Sequence, residues 1–292
     1  MFHIFYAFIW LLSWLPLPVL YLLSDFVLYP VVYYLVRYRK KVARENLRNS
    51  FPEKTTKELR KIERDFYHYF SDLLIEIMYM MHISEREMSR RFIPVNINVV
   101  LEQYAQGKSV MGMTAHYGNW EWASCYSMYL PEESPVYNIF KKLTNKNFGK
   151  LMNGWRTRFG GKTVDMKNLL RLMVRLKKEE KNATFGMISD QTPLRSHIQH
   201  WTRFLNQETP VIVGTEQLAR KFDYPVFYFH INRLKRGYYE CEFYPIALSP
   251  LETSEFEITD RYTQMLEEKI KEHPEFWLWT HKRWKHKRNP EN

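Results

Sequence analysis

Apolar residues are arranged in three successive patterns along this chain: an unbroken run, a helical repeat, and short blocks alternating with amphipathic stretches. From Ile4 to Leu23 no charged residue occurs, a run of about 20, which is the length needed to cross a hydrocarbon core of roughly 30 Å. Asp25 interrupts, apolar residues continue to Val36, and Arg37, Arg39, Lys40, Lys41 and Arg44 follow at once. Pro16 and Pro18 leave three arrangements open: a kinked spanning helix, a helix–break–helix element within one leaflet, or a hairpin under a soluble domain. Leu59, Ile62, Phe66, Phe70, Leu73, Leu74 and Ile77 recur at three or four residues and predict a helix capped by Thr55 or Thr56. Ser84 opens a second, short one. Beyond it, "SVMGMTAH", "SPVYNIFKK", "NATFGMISD" and the pair "PVFYFHINRL" and "GYYECEFYPIAL" predict strands. Between and after them "WEWASCYSMYL", residues 145–159, "KNLLRLMVRLKKEE" and "EITDRYTQMLEEKIKEHPEFWLW" predict helices, and "PVIVGTEQLARKF" a loop leading into another. Such alternation predicts an α/β fold, a mixed, mostly parallel sheet flanked by helices. Three regions follow: a membrane-anchoring segment 1–36, a helical connecting region 37–95 packed on the main domain, and an α/β domain 96–292. No internal repeat or low-complexity linker divides the chain.

Composition narrows the partners. The net charge is +11 over 292 residues and the sequence pI is about 9.4. This favours an anionic partner: nucleic acid, an acidic membrane surface, a phosphorylated substrate or an acidic carrier protein. No recognised nucleic-acid motif is present, and nucleic acid leaves the apolar run unexplained, so no nucleic-acid partner is expected. Cys125 and Cys241, far apart and outside any CxxC pair, imply neither a disulfide framework nor a zinc knuckle and fit a reducing, cytoplasm-facing location. No basic residues precede the apolar run and no small-residue cleavage site closes it, a poor match to a cleaved signal peptide. The basic cluster after Val36 is expected to stay cytoplasmic and to meet anionic headgroups.

Candidate chemistry concentrates in "SVMGMTAHYGNWEW". In one continuous helix His116 and Glu121, five positions apart, would point about 140° away from each other. Gly118-Asn119 is instead a turn signal. With His116 at the end of a strand and Glu121 in the first turn beyond the bend, the carboxylate is expected to reach the imidazole and fix its tautomer. The crevice outside strand carboxyl ends is where α/β sheets bind ligands. The motif has no nucleophilic serine or cysteine, so a hydroxyl brought by the substrate fits best, in direct acyl transfer. The structural alternative is a histidine that caps the following helix or satisfies a buried backbone group. No second ligand pair lies at metal spacing nearby, and no metal or organic cofactor is expected. Asp190 and Gln191 end another strand and belong to the same sheet edge, as acceptor-hydroxyl ligands, braces of the catalytic loop, or a turn cap. The carboxyl-terminal run from His281 to Arg288 is a phosphate-binding or a solvated basic tail. Lys141, Lys142, Lys146, Lys150, Arg156 and Arg158 form a second basic group.

His, four residues, then an acid is the signature of glycerolipid-type acyltransferases, and "HYGNWE" resembles the version in the late (secondary) acyltransferases of lipid A biosynthesis. "YRKKVARENLRNSFPEKTTKE", "ISDQ" and "PEFWLWTHKRWKHKR" resemble further segments of that family in the same order, so the likeness covers nearly the whole chain. Lys282 and Trp284 depart from the family's arginine and phenylalanine, and "TPLRSHIQHWTRFLNQETP" departs from its glycine–proline–lysine loop. The resemblance implies a glycerolipid-acyltransferase-like fold and an enzyme on the cytoplasmic side of the inner membrane. Acyl carrier protein would donate the acyl chain to a hydroxyl of a lipid A precursor, among inner-membrane lipids. His116 would be the general base and Glu121 its partner. Asn119, Arg158 (with Arg156 close enough to take its place), Asp190, Gln191, His281, Arg283 and Lys285 would bind substrate. The same chemistry on another lipid, or a non-catalytic binder of anionic lipid, is the alternative.

Overall fold

The structure, a computed structural model, describes residues 2–142 and 144–288. Nine strands are present among them: β1 (Phe92–Pro94), β2 (Val110–Thr114), β3 (Val136–Phe140), β4 (Lys162–Asp165), β5 (Thr184–Ile188), β6 (His200–Phe204), β7 (Gln207–Val211), β8 (Val226–Lys235) and β9 (Tyr238–Ala247). Seven form one sheet in the order β1-β9-β8-β2-β5-β3-β4. Its neighbours are parallel except for the β8–β9 hairpin. β6 and β7 make a separate antiparallel hairpin. The helices are α1 (Phe2–Leu12), α2 (Leu17–Leu23), α3 (Lys40–Ser50), α4 (Thr56–Tyr79), α5 (Glu85–Arg91), α6 (Asn98–Ala105), α7 (Lys146–Thr157), α8 (Leu169–Lys178), α9 (Gly214–Phe222) and α10 (Glu257–Glu272). The expected α/β architecture is therefore present.

β2, "VMGMT", is buried at every position, as a strand with both faces covered must be. It lies at the centre, between β8 and β5. The chain leaves β2 for β3 on one side of the pair and leaves β5 for β8 on the other, so a topological switch point lies beyond the carboxyl ends of β2 and β5. Their register pairs Thr114 with Ile188, the last residue of each. Two hydrophobic clusters fill the faces: one around Tyr67, Met111, Phe185, Phe204 and Trp277, the other around Leu20, Phe92, Trp122, Phe229 and Tyr239.

Local signals decided the helix starts. Thr55 accepts the Glu58 amide and Glu58 returns a bond to the Thr55 amide, a reciprocal cap; Ser84 caps α5 through the Glu87 amide. Three expectations require correction. Trp122–Tyr129 is a 3₁₀ helix. Pro210 and Val211, expected in a loop, end β7. The final helix stops at Glu272, because Pro274 cannot continue it, and "FWLW" runs on in extended form.

At the amino end, α2 and two π-helical turns, Ser24–Leu28 and Val31–Leu35, run on from one another. Leu17–Leu35 is long and apolar enough to cross a bilayer by length and composition, and a third of that stretch (33%) is buried within the protein.

Candidate active site

His116 stands two residues beyond β2 and Asp190 two residues beyond β5, so the register that pairs Thr114 with Ile188 brings them together. The Asp190 carboxylate accepts three bonds. Oδ1 takes His116 Nδ1 at 2.7 Å; Oδ2 takes the His116 amide at 3.0 Å and the Trp277 indole N–H at 2.9 Å. Burial alone pushes the Asp190 carboxyl up. The charge of His116 and the hydrogen bonds from His116 and Trp277 outweigh it, so the group is held below its ordinary value and stays ionised. An ionised acceptor at Nδ1 puts the ring proton there and leaves the lone pair on Nε2. Gln191 Nε2 lies 3.1 Å from that atom and donates to it. Trp120 meets the imidazole edge-on, centroids 5.1 Å apart, and the His116 side chain remains 17% exposed. In its neutral form the imidazole has a fixed tautomer and a reachable lone pair, and can take a proton from a bound hydroxyl; the imidazolium so formed is the charge that Asp190 meets.

The pairing expected from the motif is not the one formed. Glu121, 6% exposed, is bound by Arg156 in a two-pronged fork: Nε to Oε2 at 2.8 Å and Nη2 to Oε1 at 2.6 Å. Burial alone would lower the Arg156 guanidinium, but the Glu121 carboxylate outweighs it and holds it above its ordinary value. The physical reason is the bend. Gly118 takes φ +56°, a left-handed turn, and a Cβ there would lie 2.4 Å from the Ile231 carbonyl oxygen. Beyond it Glu121 opens the 3₁₀ helix and meets α7 at Arg156, while the neighbouring strand supplies the carboxylate that His116 binds.

Asn119, expected to bind substrate, is fully buried and has a different task. Its Nδ2 donates to Glu76 Oε2 at 2.8 Å and its Oδ1 accepts the Trp122 amide at 3.1 Å. Glu76, on α4, also accepts Tyr21 and Tyr239 hydroxyls at 2.7 and 2.6 Å, and its carbonyl takes the Trp122 indole. Burial raises the Glu76 carboxyl above its ordinary value against those hydrogen bonds. Arg158 donates to the Met80 carbonyl at 2.6 Å; of the two candidate arginines, Arg156 is the one joined to the motif.

From Phe276 to Trp284 the carboxyl-terminal segment is a strap against the protein body, while Lys282 on it, and Lys285, Lys287 and Arg288 after it, are exposed. Tyr117 and Trp277 bridge as in a sheet, with Gly118 donating to the Phe276 carbonyl and Leu278 to that of His116, so the strap holds both sides of the loop that carries His116. Asn46 on α3 then grips the Trp279 and His281 carbonyls. Arg283, expected to bind phosphate, is 2% exposed and donates to the Pro210 carbonyl at 2.7 Å. Burial pushes its guanidinium down to about 10, partly opposed by Asp190. His281 is pushed down to about 4 by burial, and its Nε2 accepts the Thr192 amide, so it is a neutral acceptor and brings no cation to a phosphate. Lys285, Lys141, Lys142, Lys146 and Lys150 are exposed. A groove of about 670 Å³ between α10 and the β6 region, lined by residues such as Arg203, Asp260 and Lys271, includes none of these site residues.

Two contributors were missed at the level of sequence. Trp277 gave no signal, because its indole bond depends on the strap's path. Glu76 did give one, a lone acid on an apolar helical face. No individually curated protein matches the chain in sequence. The profile of the bacterial lipid A biosynthesis acyltransferase family matches residues 1–286. The chain therefore belongs to the bacterial lipid A biosynthesis acyltransferases, enzymes that transfer an acyl group to a lipid A-type substrate.

Proposed function

We propose that the chain moves a fatty acyl group from the thioester of acyl carrier protein to a hydroxyl of a lipid A precursor, at the cytoplasmic face of the inner membrane. One observation carries this: a histidine whose Nδ1 is bound by an ionised, buried carboxylate and whose Nε2 keeps its lone pair, met there by the Gln191 amide, at the sheet's switch point. In the proposed step the acceptor hydroxyl takes the place of Gln191 at His116 Nε2 and loses its proton there as its oxygen attacks the thioester carbonyl. Asp190 stabilises the imidazolium so formed. The tetrahedral oxyanion needs positive charge, and Arg156, held rigid by Glu121, is the proposed source. Collapse breaks the carbon–sulfur bond, and the carrier thiolate takes the proton back from His116. The ester and the free thiol leave, with no net proton change. Glu121 thus acts in this scheme through Arg156, and Asp190 takes the orienting role that the motif alone assigns to Glu121. Asp190 and Gln191 then serve the base itself and are not ligands of the acceptor hydroxyl.

Mass spectrometry of lipid A from cells in which the gene is replaced by His116→Ala is the test. The expected result is loss of one acyl chain, with the protein still present at normal level. An unchanged lipid A profile would remove His116 from the mechanism. The basic exposed lysines on the α7 side, Lys141, Lys142, Lys146 and Lys150, suit the acidic carrier.

A further inference from the structure

From Ser13 to Tyr33 the amino-terminal apolar run is attached to the body of the protein. Leu17, Leu20, Ser24, Tyr29 and Tyr33 are buried, at spacings of three, four, five and four. The five-residue step falls in the first π-helical turn, whose wider pitch keeps Tyr29 on the same side as Ser24. That side faces α4. Tyr21 donates to Glu76, Ser24 to Asp72 at 2.9 Å, and the Tyr29 ring stacks on His68 at 3.5 Å. Arg236, in the β8–β9 turn, binds Asp72 through Nε at 2.9 Å and Asp25 through both Nη atoms at 2.8 and 2.7 Å, while Arg233 binds Asp72 from the same hairpin. Gly237 in that turn lies close against Leu17 and Tyr21. Ser13, where the run breaks before Pro16, is bonded to His82 at 2.6 Å.

The opposite side is apolar and exposed: Val19, Leu22, Phe26, Val27, Val31, Leu35 and Val36, preceded by Leu11 and Trp14. A spanning placement is incompatible with this arrangement. Asp25 lies next to the middle of Leu17–Leu35, and its side chain and that of Arg236 are each about a third exposed (33% and 35%). A segment crossing the bilayer would carry this pair, with Asp72, Arg233 and the end of the β8–β9 hairpin, to the depth where charge is least tolerated.

We propose that residues 11–36 lie in the plane of the membrane and enter a single leaflet by their exposed apolar face, with the Asp25–Arg236 pair at headgroup level. The occupant is one leaflet of an anionic bilayer. Arg37, Arg39, Lys41 and Arg44 are exposed at the end of the apolar face, where lipid phosphates lie in this placement. The inference deepens the proposed membrane location and rests on it.

Depth measurement tests it. Cys125 and Cys241 are fully buried, so spin labels on Val19→Cys, Leu22→Cys, Phe26→Cys, Val31→Cys and Leu35→Cys report separately in the otherwise native full chain. In phosphatidylethanolamine–phosphatidylglycerol vesicles the labels are expected at one shallow depth, within about 5–10 Å of the headgroup boundary. A helix that spans would separate positions 19 and 35 by about 24 Å in depth at 1.5 Å per residue, which overturns the proposal. So would labels that stay in water, or that broaden through contact with a second copy. Acyl transfer by the same variants on detergent-dispersed lipid A precursor is measured in parallel. Retained transfer beside a 24 Å gradient means that the in-plane placement fails and the catalytic proposal stands.

Discussion

Asp190→Asn is the most informative perturbation, because the structure dictates how the amide must sit. Asp190 Oδ2 accepts two buried N–H groups, the His116 amide and the Trp277 indole, and Oδ1 accepts His116 Nδ1. An amide nitrogen at the Oδ2 position would face both donors and orphan them, at about 1–3 kcal/mol each, or roughly 2–6 kcal/mol together. Rotated by half a turn, its oxygen satisfies both donors while its NH₂ faces His116 Nδ1. That second orientation wins by several kcal/mol, and it forces the ring proton onto Nε2. The variant should therefore fold with its unfolding free energy changed by less than about 1 kcal/mol, yet hold its base in the wrong tautomer. In a serine-protease triad the same change lowers kcat about 10⁴-fold for this reason. Here a fall of about 10³–10⁴ is expected, equivalent to roughly 4–5.5 kcal/mol of barrier. Steady-state transfer of labelled acyl groups from the carrier thioester to a detergent-dispersed lipid A precursor measures it, with denaturant unfolding of the same sample as control. Glu121→Gln is the matched comparison, since a His116–Glu121 pair would assign the tautomer effect to that variant instead. A kcat within tenfold of wild type for Asp190→Asn, at unchanged stability, would refute the assignment.

Other outcomes follow from the same contacts. Arg156→Lys keeps the charge but cannot form the fork with Glu121, and kcat should drop about 10²-fold with KM little changed, read from full saturation curves. Glu76→Ala strips the acceptor from Tyr21, Tyr239 and Asn119; unfolding should show a loss of about 3–5 kcal/mol, and a loss under 1 kcal/mol would mean that the network does not stabilise the fold. Buried His230 is pushed down to about 3, mainly by burial. Between that value and the unfolded value near 6.5 the unfolded chain binds the extra proton, so stability falls as pH falls through this window. His230→Asn should remove the His230 share of that slope, leaving the share of His281, and recover about 2 kcal/mol of wild-type loss between pH 7 and pH 5, measured by urea titration at each pH.

Much of the molecule is determined by short-range pattern. The buried run "VMGMT", the strand that leads to Asp190, the Thr55 and Ser84 caps and the turn at Gly118 are local consequences of burial, side-chain capping and backbone sterics. Residue type and spacing also placed His116, the candidate base, just beyond a strand end. The choice of its carboxylate could not be made that way. Glu121 is five residues away in sequence, but Asp190 is adjacent through the β2–β5 register, a pairing set by the packing of the whole sheet. Arg283 looked like a surface cation in a basic run, and only the path of the strap over β7 buries it against Pro210. The apolar run from Ile4 to Val36 met the length rule for spanning, yet length says nothing of what lies beside a helix. Asp72, Arg233 and Arg236, dozens of residues or more downstream, decide that Asp25 is ion-paired to the protein body. Periodicity reports which face of an element is apolar; which partner that face or charge meets is a property of the assembled chain.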